Sequence, residues 1–142
     1  MEFYDWLLFL HVGAAFALVA AMVAYWAAIL ATGDGDHPVV SVVQRPAGIL
    51  IVLGSLLTLV LGIWLALDND TFEIWDGWII ASIVLWAIGV GTGQRSGMLL
   101  SRPGADGATD ASSTRQQGVA LHSVSSAAIL LVLILMIFKP GA

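Results

Sequence analysis

His11 and His122 are the two residues in this sequence that titrate near neutral pH and sit inside long apolar runs. An imidazole in hydrocarbon is costly unless something pairs with it, so each is a candidate functional group by default. Two chemistries suit it. In the first, neutral imidazole is an axial ligand of haem b, with apolar, aromatic and small residues forming the slot for the ring. In the second, each histidine hydrogen-bonds a hydroxyl on a neighbouring helix. Counting about 1.5 Å of depth per residue, Ser82 falls at the level of His11 and Thr92 at the level of His122, and each such bond contributes about 0.6–2 kcal/mol in a membrane. Ser55 and Thr58 lie one turn apart in the second apolar run, and Ser123, Ser125 and Ser126 flank His122 in the fourth. These hydroxyls line either a small aqueous vestibule or a set of interhelical hydrogen bonds.

Much other chemistry is excluded. The apolar runs contain no carboxylate, which removes acid relays, carboxylate metal sites and the paired acid and base of a hydrolase. The chain has no cysteine, so disulfides, iron–sulfur clusters and thiolate metal sites are absent. Met22, Met98 and Met136 are too scattered for a thioether copper path, and no metal ligand set is expected. "GVGTGQRSG" at 89–97 is glycine-rich but follows no strand, so it reads as helix packing and a helix end rather than a phosphate loop. Five basic residues against ten acidic ones, a net charge of -5, argue against a nucleic-acid partner. No catalytic residues are assigned, and an enzyme is not expected.

The elements that must position these histidines follow from hydropathy. The 142 residues are 59% hydrophobic and 11% charged, with a mean hydropathy of +0.94; soluble domains carry about 25% charged residues. Four runs are long enough to cross a bilayer, at 6–31, 47–67, 74–93 and 118–138. The start of the chain lacks the positive region of a secretory signal, so the first run is expected to remain as a helix. The expected fold is all-α, a membrane-embedded antiparallel four-helix bundle forming a single domain over 1–142.

The breaks between runs are "TGDGDHP" at 32–38, "DNDTFEIWDGW" at 68–78 with Trp75 and Trp78 as interfacial anchors, and a polar loop at 101–117 expected to be mobile. Pro46 is expected to open the second helix at a first-turn position. Arg45, Arg95, Arg102 and Arg115 put the first and third loops in the cytoplasm and both termini outside. Lys139 dissents, and suits the negative end of the last helix.

Small residues should supply the seams: Gly13, Ala14, Ala17, Ala20, Ala21, Ala24 and Ala28 on helix 1, Gly48, Gly54, Ser55 and Gly62 on helix 2, and Gly89 and Gly93 on helix 3. "LHVGAA" at 10–15 and "LHSVSSA" at 121–127 echo one another. With spans beginning at 6 and 118, His11 lies about 8–9 Å below the outer surface and His122 about 7 Å above the inner one. That inequality speaks against one haem shared by both.

"WLLFLHVGAAF", "RPAGILIVLGSLLTLVLGIWLAL" and "LILMIFKPG" together resemble a family of small predicted four-helix integral membrane proteins of unknown function, distantly similar to the copper-resistance D (CopD-like) membrane domain. The resemblance covers all four runs. It implies a four-helix bundle in a prokaryotic plasma membrane, with His11 and the Lys139-Pro140 end as its recurring marks, and it brings no activity. The single lysine and many Ala, Val, Gly and Asp residues also suit a prokaryotic, Asp-rich proteome.

The expected function is that of a non-enzymatic accessory or scaffold subunit of a membrane assembly. It would be embedded in the lipid bilayer and partnered by a second copy or a larger membrane complex. The alternatives are a b-type haem redox protein using His11 or His122 as axial ligand, and a small-molecule or metal permease, which the lack of buried charge disfavours.

Overall fold

The computed structural model describes residues 3–32, 38–68, 75–101 and 111–138. They form four helices: α1 (Phe3–Thr32), α2 (Pro38–Leu67), α3 (Gly77–Ser101) and α4 (Ala111–Phe138). Each is long and apolar enough to cross a membrane. In lipid the backbone must satisfy its own hydrogen bonds, which is why these apolar runs are helical throughout. The chain divides into two compact units, one holding α1 and α2, the other α3 and α4. The parts of the three connecting segments at 33–37, 69–74 and 102–110, and the end at Lys139-Pro140, lie outside the described residues.

In the first unit α1 and α2 pack as an antiparallel hairpin. The start of α1 meets the end of α2 where Phe3 and Trp64 rings stand 5.8 Å apart. Nearer the middle, Gly54 lies against Leu18, close enough that a Cβ at Gly54 would sit 3.4 Å from the Leu18 Cβ. The buried face of α1 is Leu7, Ala14, Leu18, Ala21, Tyr25 and Ala28, with Met22 and Ile29 beside it. This is a repeat of three and four residues, the spacing of a left-handed helix pair. Of the small residues expected to form this seam, Ala14, Ala21 and Ala28 are buried, while Gly13, Ala17 and Ala20 face outward and Ala24 is half-buried. On α2 the seam is Ala47, Ser55, Thr58, Leu61 and Ala66, and Gly48 has open space where a Cβ would stand.

The second unit is a tighter antiparallel hairpin. A Cβ at Gly89 would meet Ile129 Cδ1 at 3.1 Å, one at Gly93 would meet Ser125 Oγ at 2.8 Å, and one at Gly118 would meet Leu100 Cδ2 at 2.8 Å. Two hydroxyls cross this seam: Ser125 Oγ donates to the Gly89 carbonyl and Ser96 Oγ to the Gly118 carbonyl, each at 2.7 Å.

Most helix boundaries extend beyond the hydropathy reading, while α3 begins at Gly77 and not at 74. α2 starts at Pro38, which takes the first-turn position expected of Pro46; Pro46 lies inside the helix. There its ring withholds one backbone hydrogen bond. α3 runs through Gly93 to Ser101, and α4 begins at Ala111 instead of 118, so 111–117 is helix rather than mobile loop. The two extensions support each other, because Gly118 packs on Leu99 and Leu100 and receives the Ser96 bond. "GVGTGQRSG" is therefore packing surface in mid-helix, not a helix end. His122 becomes the twelfth residue of α4, about 16 Å along it at 1.5 Å per residue.

Candidate functional site

His11 occupies the seam of the first hairpin, between Leu7 and Ala14 on the buried face of α1, and is half-buried. Its ring hydrogen-bonds the main chain of Thr58 on α2. Nδ1 is buried and has no hydrogen-bond partner. Thr58 itself is 6% exposed, and its Oγ1 is likewise buried without a partner.

Thr58 differs from Ser55, Ser82, Thr92, Ser123 and Ser126. A Ser or Thr inside a helix commonly bonds a carbonyl one turn back. Ser55 donates to Val52, Ser82 to Trp78, Ser123 to Val119 and Ser126 to His122, all within 3.0 Å. Thr92 donates to the Ile88 carbonyl at 2.7 Å and approaches that of Gly89 at 3.2 Å. The protons of Ser82 and Thr92, expected at the levels of His11 and His122, are thus committed to their own helix, and these two hydroxyls have only lone pairs to offer a neighbour.

His122 lies on the α4 face that meets α3 and is 3% exposed. It falls between Gly118 and Ser125, whose hydrogen bonds with α3 bracket its level. Among the described residues, no group of three or more His, Cys, Asp or Glu side chains could hold a metal ion.

Sequence reasoning did not pair Thr58 with His11 and passed over Ser96 and Gly118. A signal existed for the second pair. Once Gly93 is set against Ser125 in an antiparallel hairpin, the register carries Ser96 to the level of His122 and Leu100 to that of Gly118. No equivalent signal marked Thr58, because rotation about α2 decides whether a hydroxyl at that position faces α1, its own backbone or lipid.

No protein-family model matches the chain, and neither curated proteins nor solved structures yield a match.

Proposed function

We propose that this multi-pass membrane protein is a non-enzymatic accessory or scaffold subunit, partnered in the bilayer by a second copy or a larger membrane protein. The observation that carries this reading is how the hydroxyls of Ser55, Ser82, Ser96, Ser125 and Ser126 are spent. Ser96 and Ser125 lock one helix to its neighbour through main-chain carbonyls, and Ser55, Ser82 and Ser126 bond along their own helices. Such bonds hold helices together and leave those protons uncommitted to any reaction. Each hairpin also carries broad apolar flanks, among them Leu53, Leu57 and Val60 on α2 and Leu130, Ile134 and Ile137 on α4. These suit acyl chains and the side of another membrane helix alike.

The membrane is the plasma membrane of a prokaryote, with both termini outside. The arginines support this, as Arg45 lies near the start of α2, Arg95 near the end of α3 and Arg115 at the start of α4, all toward the two cytoplasmic loops. A place within the small four-helix family similar to the copper-resistance D domain fits the same reading.

The test is extraction from the native membrane in polymer-bounded lipid discs, followed by mass measurement and an absorbance spectrum. The expected result is a stoichiometric complex, with itself or with one other membrane protein, and no Soret band. A lone monomer would overturn the scaffold reading, and a stoichiometric b-type spectrum would replace it with the haem reading at His11 or His122.

A further inference from the structure

The second hairpin shuts a titratable group into a seam that holds nothing to balance its charge. His122 is buried there. One turn before it the Gly118 carbonyl accepts from the fully buried Ser96, and about one turn after it Ser125 donates to the Gly89 carbonyl, each at 2.7 Å. Between Gly118 and Ser125, α3 runs antiparallel from Leu100 to Gly93, so His122 lies level with Ser96 and next to Arg95. Neither helix contains an aspartate or a glutamate. Their charged residues are Arg95 on α3, which is exposed, and Arg115 on α4, which is half-buried and precedes His122 by about two turns on the same side of the helix. An imidazolium in the closed seam would meet two cations, no carboxylate and little water, and a buried charge without a counter-charge is strongly unfavourable.

We propose that His122 is a proton-operated latch on this hairpin: the neutral ring lets the end that carries Arg95 and Arg115 close, and protonation opens it. The step adds one proton from water to the neutral imidazole and breaks no covalent bond. Arg95 marks the route of the proton. A guanidinium on an exposed face avoids hydrocarbon, so the level it shares with His122 is that of headgroups and water, and parting Ser96 from Gly118 opens the ring to them. The movement ends at the bond from Ser125 to Gly89. Beyond it Gly89 packs on Ala128 and Ile129, and Val132 is buried further along; none of these side chains titrates. The latch belongs to the α3–α4 hairpin alone and does not rest on the scaffold reading.

The open ring titrates at the ordinary histidine value of about 6.5, and the closed seam excludes the imidazolium, so opening takes up a proton below that pH. Acid therefore favours the open end and alkali the closed one. Between pH 8 and pH 5 the ratio of open to closed should rise about 30-fold.

The test is the reactivity of a single introduced cysteine toward 4,4′-dithiodipyridine, in the otherwise cysteine-free protein in lipid nanodiscs. The rate at Ser96→Cys, divided by that at the exposed Met98→Cys at the same pH, reports how often the end opens. Leu100→Cys, at the contact with Gly118, is a second probe of the same opening, and the buried Ala128→Cys is the control beyond the latch. The expected result is a ratio that rises about 30-fold from pH 8 to pH 5 at the latch and by less than about twofold when His122→Gln is added. Ala128→Cys should stay protected at both pH values and in the His122→Gln background, which reports that the variant folds. A ratio that does not change with pH overturns the latch. A rise that survives His122→Gln overturns it too, by assigning the proton elsewhere, as does an equal rise at Ala128→Cys, which makes the change an unfolding of the whole hairpin.

Discussion

At the scale of the residue, glycine decides how closely the second hairpin closes. Gly93 leaves room for the Ser125 hydroxyl, which uses that room to reach the Gly89 carbonyl. A methyl group at Gly93 would stand 2.8 Å from Ser125 Oγ, and the short serine side chain can yield only by rotating away from its acceptor. Overpacking of this kind costs about 1–3 kcal/mol. Gly93→Ala should therefore destabilise the protein by about that amount in an SDS-titrated mixed-micelle unfolding assay. Gly91 is the control on the same helix. A Cβ there has nothing within 4 Å, and alanine is the better helix former by about 1 kcal/mol, so Gly91→Ala should leave stability unchanged or raise it. Equal losses for the two variants would show that backbone propensity, not the seam, sets the cost.

At the scale of the element, each hairpin is defined by the register of one helix on the next. Four long apolar helices are legible in the sequence because length and hydropathy alone demand them in lipid. Their register is not, since an alanine-rich helix offers small residues on every face. Helix α1 uses the alanines at 14, 21 and 28 and exposes those at 17 and 20; the choice belongs to the shape of α2. The register makes a direct prediction, helped by a chain without cysteine. A Cβ at Gly54 would lie 3.4 Å from that of Leu18, close to the roughly 3.5–4.5 Å of a disulfide. The double variant Leu18→Cys with Gly54→Cys should oxidise to an intramolecular disulfide and escape labelling by a polyethylene-glycol maleimide until reduced. Leu18→Cys with Leu57→Cys, whose second site points outward, should label twice with or without oxidant when both pairs are labelled after unfolding in SDS. If both pairs label alike, the register is wrong.

At the scale of the whole molecule, the proposed direction of insertion rests on the arginines. If both termini lie outside as proposed, a cysteine in place of the exposed Asp5 near the start of α1 should react with a membrane-impermeant maleimide on intact cells. One in place of Ser112, exposed at the start of α4, should react only after the membrane is opened. Labels appearing in the reverse order would invert the topology.

The sequence by itself determined that the chain is all-helical, that four of its stretches can cross a membrane, and that His11 and His122 are the histidines to explain, because these follow from local composition and from the intolerance of hydrocarbon for open backbone. The helix ends at Ser101 and Ala111 were beyond it, because polar extensions of α3 and α4 are held by each other and not by their own hydropathy. The partner of His11 was likewise decided only in three dimensions. Thr58 was visible as a hydroxyl in the second span, but rotation of α2 against α1 brought its carbonyl to the ring and left its Oγ1 and the histidine Nδ1 open, and rotation about a helix axis is set by packing.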